Sequence, residues 1–552
     1  MIRRLMQGIV MMGWAAGALG AAGAAAPEPG DPPPEKFDSA GAGGAAVITA
    51  PGAGEAWPVP ETDPAQEPAR ALETLCAAIQ ARFDDPRFAH AHWGVLIESL
   101  ETGRVWVERN ADRLFMPASN EKIPTAAAAL QALGPDFRFT TLLAATAPLT
   151  TPTLEADIVV WSNGDPTFYD RYIGESRAVF RSWARQLKAR GLERVTGGVV
   201  GDDNAFDDQR IGAGWPHDGL GEWYSAEIGP LVLNENYVDF RIVPPQTPDG
   251  EVRIEPNLPS AYYKVVNNIK VVSEGRSRVS VERPFGTHEM IFTGQVAVGD
   301  SPLEESPAIS NPTLWYATVL RETLIEEGIA VEGAARDVDD EPDWPHEAAA
   351  LPRLAEHLSP PLSDILTQMM KRSQNLYAEI LPRAMAWKET GRGSFAAGRE
   401  IVARELEKLG VPPGTYRYAD GSGLTRYNYI SPRQIVTIYK AMLAGPNRDH
   451  WWRAQAIMGV DGTLRRRGLG TPAEGNMRGK TGTISNVRAL SGTVTTADGE
   501  DLVFSFIVNA HLETSRATED VTDDVVAWLA GFDRWPDDAP GTGPFSLDPL
   551  PR

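Results

Sequence analysis

One cysteine, Cys76, in 552 residues rules out an internal disulfide and any metal site built on several thiolates. Basic residues are outnumbered: 52 Lys and Arg stand against 74 Asp and Glu, for a formal net charge of −22. Such a surface repels phosphates, which argues against nucleic acid as a partner. Histidine is scarce as well, 8 in the chain, and only His90 and His92 sit close enough to suggest a metal. They have no third ligand nearby, so no metal is expected. Apolar runs approaching membrane length are absent after the one at the N-terminus, from about Ile9 to Ala22. Met1-Ile2-Arg3-Arg4 precedes that run and Gly23-Ala24-Ala25-Ala26 follows it, the order of a secretory signal peptide cut near Ala25. The mature chain is therefore expected in the periplasm without a transmembrane segment, peripheral membrane contact being left open.

What remains is globular in composition, 42% hydrophobic and 23% charged, and too long for one core. After the signal peptide (1–25), residues 26–67 are rich in Pro, Gly and Ala without periodicity, a flexible linker. Order is predicted from 68, with a helix through Leu72, Leu75, Ile79 and Phe83, then a hairpin turning at Glu101-Thr102-Gly103. Over 141–350 short runs such as Asp157–Trp161 and Val195–Val200 alternate with Gly-, Asp- and Pro-rich loops, which predicts inserted β-rich domains with few helices. One helix there, Thr313 to Glu327, is capped by Gly328. Helices return over 351–534: Leu362–Met370, Ala396–Leu409, Gln434–Met442 and Glu519–Leu529, with a hairpin around Asp498-Gly499. The tail, 535–552, is loose.

The chemistry is expected at Ser119-x-x-Lys122, at the head of the Ala-rich run Ala126–Ala129. At i, i+3 the hydroxyl and the amine share one helix face. A serine attacks only if a neighbour takes its proton, and a lysine does so when burial or nearby positive charge lowers its pKa. Two further stretches, Ser373-Gln374-Asn375 and Lys480-Thr481-Gly482, complete the motif set of β-lactamases and penicillin-binding proteins. Acyl transfer then assigns roles. Ser119 is the nucleophile and Lys122 its base, Ser373 relays a proton to the leaving amine, and Asn375 holds Lys122 or the substrate amide. Lys480 favours a neutral Lys122 and attracts an anionic substrate, while Thr481 and Thr483 offer hydroxyls to a carboxylate. The N–H groups of Ser119 and Thr483 form the oxyanion hole.

The first two motifs lie 254 residues apart, too far for a class A β-lactamase. With Asn163-Gly164-Asp165-Pro166-Thr167, Gly201-Asp202-Asp203, Asp420-Gly421-Ser422-Gly423-Leu424, Asp461-Gly462-Thr463-Leu464 and Lys480-Thr481-Gly482-Thr483, the chain from about Ala91 to Phe532 resembles the D-alanyl-D-alanine carboxypeptidase/endopeptidase family, the class C low-molecular-mass penicillin-binding proteins. The resemblance implies an α+β fold: a transpeptidase/β-lactamase-like domain, antiparallel sheet between helices, formed by 68–140 and 351–534 and split by the insert. It implies peptidoglycan peptides as substrates, β-lactam antibiotics as acylating ligands and no cofactor. It also implies specificity residues: Asp218 and Tyr224 facing the stem-peptide side chain, Leu424 and Arg426 lining the site, and Gly482 with the two threonines on the substrate-binding strand. Two departures stand out, Gln374 in place of Asp and Arg478-Gly479 before Lys480, the latter expected to alter charge at the site. A serine β-lactamase and a slowly deacylating wall-binding or antibiotic-sensing protein are the alternatives. The oligomeric state is not readable.

Overall fold

Leu72, Leu75, Ile79 and Phe83 recur on one face of the first helix, Glu67–Phe83, which packs beside the last, Ser515–Ala530, over a sheet. These elements belong to a computed structural model that describes residues 67–534 except 342, 343, 345 and 346. The predicted signal peptide, the linker up to residue 66 and the tail lie outside the described residues.

The sheet has six strands in the order Ala456–Ile457, Arg478–Ile484, Val487–Thr495, Asp501–Asn509, His92–Ser99 and Val105–Arg109, antiparallel throughout. Its outer core joins Leu75, Ile79, Trp93, Phe504, Phe506, Val525 and Leu529. The opposite face meets a helical cluster centred on Lys122–Ala132, in which every residue from Lys122 to Leu130 is buried. Its alanines explain that position: small side chains let Asn375–Thr390 and Phe395–Lys408 both approach closely. The predicted central strands and the predicted helices of 351–534 are present within a few residues, the last helix starting four residues earlier than expected.

The chain leaves this assembly on the strand Thr140–Ala145 and returns on Arg353–Leu358, and the two pair antiparallel. They are neighbours in a five-stranded sheet ordered Ala335–Asp337, Val199–Asp202, Ile158–Ser162, Thr140–Ala145, Arg353–Leu358. Helices Ala178–Ala189 and Pro312–Glu326 pack against it through Phe180, Trp183, Leu187, Trp315 and Leu320. The first of these helices is not among those expected from the sequence, although Val179, Phe180, Trp183, Ala184 and Leu187 are its buried stripe. Val195–Val200, expected as one run, is two strands, Arg194–Val195 and Val199–Asp202. Gly197 and Gly198 break it because other chain segments come too close for a side chain. An added Cβ would lie 2.4 Å from the Ala156 carbonyl oxygen and 2.0 Å from that of Ala334. Three small three-stranded sheets complete the region between Thr140–Ala145 and Arg353–Leu358: Leu303–Glu305 with Phe240–Val243 and Arg253–Pro256, Lys264–Val272 with Glu289–Ala297 and Arg278–Glu282, and Ala330–Val331 with Arg194–Val195 and Thr153–Leu154.

Candidate active site

Ser119 sits on a single 3₁₀ turn, Ala118–Glu121, that runs directly into the Lys122–Ala132 helix. The expected spacing holds, though the turn is tighter than the α-helix anticipated: Lys122 Nζ lies 3.0 Å from Ser119 Oγ. Two carbonyl oxygens take the remaining directions of that nitrogen, Asn375 Oδ1 at 2.6 Å and the Ser422 backbone carbonyl at 2.7 Å. A neutral amine has two N–H bonds and one lone pair, and carbonyls accept only N–H. The two carbonyls therefore leave the lone pair to the Ser119 proton.

Burial decides how readily that neutral form exists. Lys122 is fully buried, which lowers its pKa to about 7 against the pull of Asp420, Glu379 and Glu121, all of which favour the ammonium. The sequence points to burial or to Lys480 for this effect; in the structure burial is the cause that lowers it. Lys480 is itself held well below an ordinary lysine, first by burial and then by the charge of Lys122. Its Nζ donates to Ser373 Oγ at 2.8 Å and to the Thr481 carbonyl at 2.7 Å. Ser119 and Ser373 are half-buried while both lysines lie beneath, so the hydroxyls face the site and the amines are kept from water.

Ser373 adopts the left-handed region at φ 61, the joint between the helices Leu362–Arg372 and Asn375–Thr390. The joint turns Ser373 to Lys480 and Asn375 to Lys122. Asn375 Nδ2 donates 2.7 Å to the Tyr224 carbonyl, so the insert reaches the catalytic loop through a backbone atom no motif marks. The Arg478–Ile484 strand lies against the Ser119 turn at Gly482, where a Cβ would come within 2.6 Å of the Pro117 carbonyl. Thr481 Oγ1 donates to Thr463 Oγ1 at 2.7 Å, and Thr483 is exposed.

Behind Lys122, the loop Asp420–Leu424 is wired to buried carboxylates. Glu379 accepts from the N–H groups of Gly421 and Ser422 at 3.0 and 2.8 Å, and burial, then Asp420, raises its pKa to about 7. Asp420 accepts from the N–H groups of Gly423 and Thr425, from Asn428 Nδ2 and from Trp215 Nε1. The sequence marks this loop and gives a role in it only to Leu424; no signal connects Ser422 to a lysine 300 residues away.

The remaining expected residues are placed less uniformly. Asp218 is exposed on a short turn, His217–Gly219, and the Tyr224 hydroxyl reaches Gly219 beside it, 3.1 Å from where a Cβ would sit. Leu424 is buried, and Arg426 donates 3.0 Å to the Ser485 carbonyl at the end of the Arg478–Ile484 strand. Arg478 rests over the Trp452 ring at 5.0 Å. His90 and His92 belong to no cluster of three metal-ligating groups among the described residues.

Two serine hydroxyls each held by a buried lysine, with an asparagine carbonyl sharing one of them, define a serine acyl-transfer enzyme of the penicillin-recognising class. The particular branch follows from comparison: the D-Ala-D-Ala carboxypeptidase 3 (S13) family model matches residues 75–532, and the chain belongs to that family. It is 30% identical over 474 residues to the D-alanyl-D-alanine carboxypeptidase of Actinomadura sp. strain R39, covering 84% of this chain and 85% of that protein. It is 27% identical over 428 residues to the D-alanyl-D-alanine carboxypeptidase DacB of Haemophilus influenzae, covering 76% and 85%. The crystal structure of penicillin binding protein 4 from Haemophilus influenzae superposes with a TM-score of 0.70 at 25% identity, over 84% of this chain and 99% of that one. A β-lactam complex of that protein matches with a TM-score of 0.61 at 26% identity, over 77% and 91%. No helix among the described residues is long and apolar enough to cross a membrane.

Proposed function

We propose that this chain is a serine D-Ala-D-Ala carboxypeptidase and endopeptidase acting on peptidoglycan stem peptides and cross-links. The observation that carries the proposal is the Lys122 amine, buried and held by two carbonyls so that its lone pair meets Ser119. Ser119 Oγ bonds to the carbonyl carbon of the penultimate D-Ala as its proton passes to Lys122. The C–N bond then breaks as Ser373, its hydroxyl held by Lys480, protonates the departing amine and takes in exchange the proton held on Lys122, which is left neutral. Water attacks the acyl-serine and gives its proton to the now neutral Lys122; the bond between Ser119 Oγ and the acyl carbon breaks, that proton returns to Ser119, and the shortened peptide is released. The N–H groups of Ser119 and Thr483 serve the oxyanion, and Lys480, Thr481 and Thr483 serve the substrate carboxylate. Asp218 and Tyr224 read the stem-peptide side chain, and Leu424 and Arg426 line the site; the nearness of Tyr224 to both Gly219, beside Asp218, and Asn375 supports the first two. A β-lactam mimics the D-Ala-D-Ala end and acylates the same serine. A periplasmic location belongs to the same proposal, supported by the basic–apolar–small order of residues 1–25. A catalytic domain of 68–140 and 351–534 carrying an insert over 141–350 belongs to the same proposal, supported by the adjacent strands through which the chain leaves and returns.

Intact mass spectrometry with benzylpenicillin tests it. Wild type is expected to gain one penicilloyl mass and Ser119→Ala none. An unmodified, folded wild type would sink the proposal. Rapid loss of the adduct with catalytic consumption of penicillin would move the assignment to a β-lactamase.

A further inference from the structure

The turn Asn234-Glu235-Asn236 has three successive non-glycine residues in the left-handed region, at φ 53, 53 and 57. That conformation is disfavoured for each of them and persists only where the surroundings over-determine it. Here the two asparagines do so. Asn234 Nδ2 donates to the Tyr237 carbonyl at 2.8 Å while its Oδ1 accepts from Ser176 Oγ at 2.8 Å and Asn257 Nδ2 at 3.1 Å. Asn236 Nδ2 donates to the Glu227 carbonyl at 3.0 Å, and its Oδ1 accepts the Leu233 N–H at 3.2 Å. The residue held between them is a carboxylate with 1% exposure.

Both oxygens of Glu235 are in use. Oε1 accepts from Arg171 at 2.7 Å and Tyr377 Oη at 2.8 Å, and Oε2 accepts from Tyr237 Oη at 2.8 Å and Gln374 Nε2 at 2.5 Å. Gln374 is the residue between Ser373 and Asn375, and Tyr377 lies one half-turn on. The Gln374 amide has one orientation available: Oε1 accepts the Leu376 N–H at 3.2 Å, capping the following helix, and Nε2 must then face Glu235. An aspartate at 374 would turn a second carboxylate toward a buried one.

We infer that Glu235 is a positioning residue for the reaction: from the insert it clamps the Ser373–Asn375 loop through Gln374 and Tyr377, and it dictates an amide at 374. The inference rests on the acyl-serine reading for its consequence, because the loop it holds carries Ser373 to Lys480 and Asn375 to Lys122. The strained turn is stored on the insert, and its product is the register of two groups on the catalytic side.

An exchange of the two side chains tests it. Gln374→Glu puts two carboxylates face to face, and Glu235→Gln removes the charge without changing shape. The double variant restores one donor and one acceptor with their places reversed. The amide oxygen now at position 235 keeps Arg171 and Tyr377, the amide nitrogen there donates to the carboxylate now at position 374, and Tyr237 Oη turns to accept from that nitrogen and donate to Tyr169 Oη. Acylation by benzylpenicillin is expected to slow roughly ten- to a hundredfold in Gln374→Glu and less in Glu235→Gln. The double variant returns to within about threefold of wild type. With a D-Ala-D-Ala peptide the loss falls on kcat rather than KM, since the displaced groups act on the reacting atoms. Backbone amide exchange at positions 374 and 376 accelerates in both single variants and slows again in the double one. If Gln374→Glu does not fold, Glu235→Gln alone must still show slower acylation and faster exchange. Single variants with wild-type acylation and exchange, or a double variant no better than the worse single one, overturn the clamp. Absence of any adduct on wild type condemns the acyl-serine reading instead, and the exchange data still judge the clamp.

Discussion

Lys122 has three directions around its nitrogen and three oxygen neighbours, only one of which carries a proton it can take. On the proposed mechanism its free-base fraction sets the acylation rate. With a pKa of about 7, acylation by benzylpenicillin is expected to rise with pH through a midpoint near that value and to level off above it. Glu379→Gln keeps an acceptor for the Gly421 and Ser422 N–H groups but removes a charge that favours the ammonium. The midpoint then moves to lower pH, and stopped-flow acylation across the neutral range reads the shift. A midpoint unmoved by that substitution would show that another group controls the limb. Ser119 and Lys122 are legible in the sequence because both belong to one turn and the spacing itself brings them together. The Ser422 carbonyl, Glu379 and Asp420 are not. Long-range folding brings them to the lysine, and a backbone carbonyl leaves no trace in residue identity.

Secondary-structure elements meet at this site with almost no clearance. Gly423, at φ +85, brings its backbone so near the Ser119 turn that a Cβ would lie 1.8 Å from the Ala118 carbonyl oxygen. Gly423→Ala is expected to lower the unfolding free energy by roughly 1–3 kcal/mol. Because it pushes the turn that carries the nucleophile, acylation should fall about a hundredfold in the molecules that remain folded. Urea unfolding and acylation measured on one preparation separate the two effects, and a wild-type acylation rate would refute the close contact. The pattern of legibility is physical here too. Apolar periodicity reveals Glu67–Phe83 and Pro312–Glu326 because their buried stripes are long. Ala178–Ala189 has an equally clear stripe but stands among short β runs, whose alternation dominates that region of the sequence. The Gly197-Gly198 break depends on the approach of Ala156 and Ala334, which only the assembled sheets supply.

At the scale of the molecule, the insert and the catalytic helices share buried charge. Arg383, 1% exposed on the Asn375–Thr390 helix, donates to the Gln209 carbonyl at 3.1 Å, pairs with Asp207 at 3.4 Å and lies 3.9 Å from Glu379. Arg383→Ala leaves a buried carboxylate without its cation and is expected to cost about 3–5 kcal/mol, seen as a lower urea midpoint. A loss below about 1 kcal/mol would mean that water replaces the guanidinium at little cost. The strands that carry the chain out and back add a different consequence. Thr140 is paired with Leu358 and Ala144 with Arg353, so a tight turn between the two strands would delete the entire excursion and leave Ser119, Lys122, Ser373, Asn375 and Lys480 in their order. On the proposed division the insert is, by connectivity, a cassette. The shortened enzyme, however, would lose the Tyr224 carbonyl under Asn375 and the Glu235 carboxylate under Gln374. A lineage, or an engineer, that discards the cassette must find new support for the catalytic loop, so what is easily removed from the gene is not easily removed from the chemistry.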